Sequence, residues 1–197
     1  MAVDRSITSL IAHISTLLEE HDSDIANRAV AELKVAIKCP VVKSPQRVAQ
    51  CEALDAMLIN PFSHHMLPLA NAQHGIHWAG SGGAAKPEAV QNRLAFAELV
   101  GPGGMIRNPH CRVGLFLQCA QTTYPVHRHA AEELYLVLGG TAHWQSDSMG
   151  ARFHTPGNFI HHASWETHSM TTANEPLLAV WCWTGDIRFD QYEIESP

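Results

Sequence analysis

His127 and His129 stand one residue apart, Glu133 follows four residues after His129, and His168 lies well downstream. Residues i and i+2 of a β-strand point to one face, so the two imidazoles converge. Glu133 joins them if the chain bends at Ala130-Ala131. Imidazole with carboxylate is the ligand mixture of a catalytic first-row metal, not of a closed thiolate site, and such centres keep a position open for substrate. An enzyme is the leading reading.

The neighbouring residues add chemistry. Tyr135 lies two positions beyond Glu133 and shares its face; Tyr124 directly precedes Pro125 and the histidine pair. Trp181 and Trp183 share one face of a late strand. A structural metal site has no need of phenols, so these aromatics are candidates for proton transfer and substrate binding, weighed against plain barrel filling. His74 and His77 form a second, weak His-x-x-His pair beside Trp78.

The elements that must hold these groups fall into three stretches. Residues 1–60 read as a helical extension. Ile7, Leu10, Ile11, Ile14, Leu17 and Leu18 follow helical periodicity, as do Ala26, Val30, Leu33 and Ile37. Ser44-Pro45 is a helix-start signal, and Val48, Cys51, Leu54 and Leu58 make a third apolar face. These helices carry no evident chemistry and are read as packing on the main domain, as a lid, or as the interface of a homodimer. Residues 61–92, with Pro61, His64, His65, Pro68 and Gly80-Ser-Gly-Gly83, read as an irregular loop suited to a lid. From 93 to 197 short apolar runs alternate with Gly and Pro. The runs are 94–100, 112–118, 133–138, 141–145 and 177–183, with a last strand expected at 187–192. That pattern indicates a β-sandwich or barrel.

Composition narrows the function. The chain has 197 residues, 46% hydrophobic and 16% charged, enough for one sizeable core. A net charge of -6 without any Lys/Arg cluster argues against nucleic acid. No apolar run is long enough for a membrane helix, and the start MAVDRSITSL has no signal-peptide pattern, so a cytoplasmic protein is expected. The five cysteines are scattered without a CxxC and read as reduced thiols.

The spacing His127-x-His129-x3-Glu133-x6-Gly140 resembles the first cupin motif. Gly157 and His168 fit the frame of the second, with Ala163, Trp165 and Thr172 in place of its Pro, Gly and Asn. His161 and His162 compete for the second-motif ligand, and His168 is preferred because Pro156-Gly157-Asn158 looks like a turn entering a strand. The resemblance implies a mainly β protein, a cupin double-stranded β-helix (jelly-roll barrel) behind the helical extension. More closely, YPVHRHAAEELYLVLGG and ETHSMTTANEPLLAVWCWTGD resemble the cupin dimethylsulfoniopropionate (DMSP) lyases.

That resemblance implies cleavage of a small zwitterionic substrate to dimethyl sulfide and acrylate by β-elimination. It implies one divalent metal per chain, with Zn or Fe(II) expected and Mn, Co and Ni also compatible. His129, Glu133 and His168 are the implied ligands, while His127 and Tyr135 compete for the fourth position. Tyr135 is the favoured base and Tyr124 the second candidate. Trp183, then Trp181 and Trp78, are the indoles for the sulfonium. The rival readings are a cupin Fe(II) dioxygenase acting on a thiol or diketone, and a non-enzymatic ligand-binding cupin.

Overall fold

The computed structural model describes residues 5–59, 66–80, 90 and 92–194; His64 and His65 lie outside them. Four helices come first: α1 (Arg5–Glu19), α2 (Asp24–Ala36), α3 (Cys51–Leu58) and α4 (Leu67–Ala72). The stripe of α1 read from periodicity is its buried face, and Ser23 caps α2 by accepting from the Ala26 N–H at 3.3 Å.

Twelve strands follow: β1 (Ala79–Gly80), β2 (Leu94–Gly101), β3 (Ile106–Arg107), β4 (Arg112–Gln118), β5 (Thr122–His129), β6 (Ala131–Gly139), β7 (Ala142–Ser146), β8 (Gly150–His154), β9 (Phe159–His162), β10 (His168–Thr172), β11 (Leu177–Gly185) and β12 (Tyr192–Ile194). They form a seven-stranded sheet, β1-β2-β4-β11-β6-β9 with β3 on β2, and a five-stranded sheet, β12-β5-β10-β7-β8. The crossed-over order of two facing sheets is the cupin jelly roll.

The larger sheet is buried on both faces because two apolar layers cover it. Leu134, Leu136, Leu138, Leu178, Val180 and Cys182 face the helices, and α2 packs directly on β6 and β11. Tyr135, Val137, Ala179, Trp181 and Trp183 face the barrel interior with Phe116, Tyr124, Trp144 and Met170. Strands covered on both sides read as unbroken apolar runs, as β4 and β11 do. Gly140 turns the chain from β6 in the larger sheet to β7 in the smaller one at φ 77°, and a Cβ there would sit 1.9 Å from the Pro176 carbonyl oxygen.

Three expectations need correction. The helix expected from Ser44-Pro45 begins at Cys51. Proline disfavours a helical residue before it, and the 44–46 backbone instead finds partners across the chain. Gln46 N–H donates to the Ile76 carbonyl, Trp78 N–H donates to that of Gln46, and His77 Nδ1 lies 2.7 Å from the Ser44 carbonyl. The described part of 61–92 is not irregular: it holds α4, a 3₁₀ turn at Gln73–Gly75, and β1 paired to β2. The last strand starts at Tyr192, because the Ile187 carbonyl is engaged by Arg112 Nε at 2.8 Å.

Candidate metal centre

β5 belongs to the smaller sheet and ends at His129; the chain then crosses at Ala130 into β6 of the larger one. The bend expected at Ala130-Ala131 is this crossing. It sets His127 and His129 on one wall of the barrel and Glu133 and Tyr135 on the opposite wall. β10 pairs with β5, and His168 stands opposite His127. The ligand atoms of His129, Glu133 and His168 lie within 4.8 Å of one another, and all three residues are buried. Glu133 Oε2 is 3.1 Å from His129 Nε2 and 3.2 Å from His168 Nε2.

Backbone carbonyls fix how the imidazoles point. Nδ1 of His127, His129 and His168 lies 2.8, 2.9 and 2.9 Å from the carbonyls of Pro125, Ala131 and Glu166. A carbonyl only accepts, so each Nδ1 is the donor, and in the neutral ring the lone pair then sits on Nε2. His168 Nε2 is buried and makes no hydrogen bond, although Glu133 Oε2 stands 3.2 Å from it. Two imidazole lone pairs around one carboxylate oxygen call for a positive charge between them. This donor set fits a divalent transition metal and is of the mixed kind seen in catalytic sites.

The electrostatics agree. Burial opposes the Glu133 charge, but His129 and His168 beside it hold the carboxyl well below its usual range. Burial likewise opposes charge on His129, and Glu133 outweighs it, raising that imidazole. Trp183 donates its indole N–H to Glu133 Oε1 at 2.7 Å, which leaves Oε2 for the centre. Glu133 and Trp183 are cross-strand partners, so the register of β6 on β11 delivers this bond.

His127 lies beside the trio rather than in it. Its ring stacks on Tyr124 at 4.2 Å and stands 4.1 Å from the His168 ring. Burial, then His168, hold it neutral. Tyr135 follows Glu133 on the same face of β6; burial and that carboxylate push its phenol well above the usual value. Burial also raises Tyr124, whose hydroxyl is 2.6 Å from that of Tyr192. Tyr192 was missing from the sequence reading. Its signal was available only through register, which sets Tyr192 of β12 opposite His129.

A cavity of about 400 Å³ opens onto the centre, within the usual size of small-ligand sites. Tyr124, Tyr135, Tyr192, Trp181, Trp183, Phe96 and Phe189 line it with His127, His129 and Glu133. Gly114 makes room for the Trp181 indole: a Cβ there would stand 3.0 Å from its Nε1 and 2.2 Å from the Ala97 carbonyl oxygen. Trp78 does not line the cavity. It is fully buried in the helical layer, so its expected contact with substrate is corrected to a packing role. Lys43 of the extension and His77 of the 61–92 stretch do reach the cavity, so both segments form part of its wall.

The departures in the second motif have a geometric meaning. Trp165, at the motif's glycine position, adopts φ 63°, a backbone region that glycine enters without strain and a bulky residue seldom does. Its N–H donates to the His129 carbonyl at 2.7 Å, which holds the conformation. His161 points away from the centre to Glu132, at 2.8 Å. His162 is fully buried against His168, ring centroids 4.0 Å apart.

Comparison with known proteins agrees with this geometry. The dimethylsulfoniopropionate lyase family profile matches residues 21–179. Dimethylsulfoniopropionate lyase DddQ of Ruegeria pomeroyi is 31% identical over 96 residues, 49% of this chain and 48% of DddQ. A putative dimethylsulfoniopropionate lyase of Cereibacter sphaeroides, DddL, is 34% identical over 116 residues, 56% of this chain and 48% of DddL. The matches thus span about half the length of these curated relatives. The crystal structure of Ruegeria pomeroyi DddQ superposes with a TM-score of 0.74 at 21% identity, covering 98% of this chain and 97% of that one. Another solved DMSP lyase gives 0.73 at 22% identity, covering 97% and 98%. At these identities the structural likeness speaks for the fold, and it extends through the helical extension. With more than half its length matched by the family profile, this chain belongs to the dimethylsulfoniopropionate lyase family.

Proposed function

We propose that the protein cleaves dimethylsulfoniopropionate to dimethyl sulfide and acrylate. The observation that carries the reading is a buried His129-Glu133-His168 trio at the end of an aromatic cavity, with a tyrosine against it, in a chain of this family. In the reaction a base takes a proton from the carbon next to the carboxylate. That C–H pair becomes the new C=C bond, and the C–S pair leaves with sulfur as neutral dimethyl sulfide.

His129, Glu133 and His168 would hold one divalent metal, Zn or Fe(II) by preference, with Mn, Co and Ni compatible. Bound there, it would offset the substrate carboxylate and the enolate-like charge that makes the proton hard to remove. Tyr135 is the proposed proton acceptor through its phenolic oxygen, and it competes with His127 for a fourth ligand position. Tyr124, hydrogen-bonded to Tyr192, is the second candidate base. Burial and Glu133 oppose a Tyr135 phenolate, so a positive charge at the trio is what would permit it. The faces of Trp181 and Trp183 would hold the sulfonium by cation–π attraction. The indole N–H of Trp183 meanwhile keeps Glu133 aimed. The same apolar walls would exclude water from the reacting carbon.

The test is dimethyl sulfide release from dimethylsulfoniopropionate under anaerobic conditions, followed by gas chromatography with metal-loaded protein. Sulfide should appear without oxygen, and Tyr135→Phe should lower kcat by about 10²–10⁴, the worth of a positioned base. No sulfide with Zn, Fe(II) or Mn would reject the lyase. Oxygen uptake on a thiol or diketone would then favour the dioxygenase.

A further inference from the structure

The loop from Ala163 to Thr167 joins β9 to β10 and carries no ligand, yet it touches both histidines of the trio. The Glu166 carbonyl takes the His168 Nδ1–H at 2.9 Å. The Trp165 N–H donates to the His129 carbonyl at 2.7 Å, and Ser164 Oγ donates to the Ala130 carbonyl at 2.6 Å. One side chain ties this loop down. Glu166, 9% exposed, accepts from the Ser148 N–H at 2.9 Å and from the Ser148 hydroxyl through Oε1. Its Oε2 accepts from the Ala163 N–H at 2.9 Å. The carboxylate therefore closes the loop on itself and fastens it to the β7–β8 turn. Ser146, in that same region, is the cross-strand partner of His168.

We infer that Glu166 is a positioning residue for the metal centre: its carboxylate holds the loop whose carbonyl keeps the His168 ring in the Nδ1–H tautomer with Nε2 facing Glu133. Three facts carry this. His168 Nε2 is buried and has no hydrogen bond of its own, so no hydrogen bond on the cavity side fixes the ring. The carbonyl that does fix it belongs to Glu166 itself. Trp165 lies in a left-handed conformation inside the loop, and such a conformation persists only where surrounding bonds impose it. Groups that orient a metal-binding histidine commonly matter almost as much as the ligand. Here the orienting carbonyl is itself oriented by its own side chain.

The inference rests on the metal reading above, so the experiment separates the two. Zinc affinity is measured by chelator competition for wild type, Glu166→Ala, Glu166→Gln and Leu33→Ala. The last is a destabilising change in α2, away from the loop. The His168 tautomer is read by nitrogen NMR of metal-free protein. Glu166→Ala should weaken zinc about 10- to 100-fold and remove the Nδ1–H signature of His168. Glu166→Gln, which keeps one acceptor oxygen, should recover part of both, and Leu33→Ala should change neither. If Glu166→Ala does not fold, Glu166→Gln and Ser148→Ala carry the comparison. Unchanged affinity and tautomer in the Glu166 variants would overturn the inference. So would a Leu33→Ala loss of equal size. Wild type that binds no zinc would instead overturn the metal reading, and the tautomer would still decide the role of Glu166.

Discussion

The two faces of the seven-stranded sheet are built from alternate residues of the same strands and have opposite characters. On β6, Leu134, Leu136 and Leu138 point to the helices while Glu133, Tyr135 and Val137 point into the barrel. On β11, Leu178, Val180 and Cys182 alternate with Ala179, Trp181 and Trp183. The outer face is mainly aliphatic, with one polar edge where Arg28 of α2 meets Glu132 and Thr184. The inner face is aromatic and carries a buried carboxylate, three buried histidines at its facing wall, and phenols. Stability and chemistry are thus separated by a single step along the chain, and a one-residue slip in register would exchange them.

Neighbouring positions on β6 break the comparison most sharply. Glu133→Gln removes the anionic oxygen that His129 and His168 share, and activity should fall by at least about 100-fold, at or beyond the limit usual for outer-shell changes. Metal content per chain checks the cause. Leu134→Ala, one residue on, should cost about 2–5 kcal/mol of stability by urea unfolding while the folded protein keeps its metal and its KM. A loss of metal in Leu134→Ala, with Glu133→Gln still loaded, would contradict the separation.

A smaller effect tests the inner face through pH. Glu98 lines the cavity beside Arg112, whose guanidinium lies 3.0 Å from both carboxylate oxygens and 3.8 Å above the Phe189 ring. Burial raises the Glu98 carboxyl above its usual 4.5, more than Arg112 and the Gly103 N–H lower it. The folded state therefore holds a proton that the unfolded chain releases. This contribution to stability is full below about pH 4.5 and fades as pH rises through the raised value. Stability measured from pH 4 to 7 should lose that slope in Glu98→Gln, and an identical slope in the variant would contradict the assignment.

Much of this arrangement was legible in the sequence, for reasons that differ by element. The α1 stripe was readable because its apolar residues repeat at the helical period, and the β4 and β11 runs because strands buried on both faces are unbroken apolar stretches. His127, His129, Glu133 and Tyr135 were readable because they lie within nine residues of one another, where strand alternation decides facing. His168 needed the resemblance to a known motif. What stayed hidden depends on pairing between distant strands. Tyr192 meets His129 and Tyr124 only through the β12–β5 register. Lys43 and His77 reach the cavity through a backbone link between 44–46 and 76–78 that replaced the expected helix start. Trp78 sits one residue from His77 yet faces the helical core, and spacing alone does not separate those two fates. The Trp183–Glu133 hydrogen bond also comes from register and changes how that indole is understood, from a face for substrate alone to a clamp on a ligand.

The most direct test of the central claim is anomalous diffraction from crystals of the zinc-loaded protein. The account predicts a single ion bonded to His129 Nε2, Glu133 Oε2 and His168 Nε2 at about 2.0–2.2 Å, with an open position facing the aromatic cavity. An ion held elsewhere, or a trio that stays empty in protein shown to contain stoichiometric zinc, would contradict it.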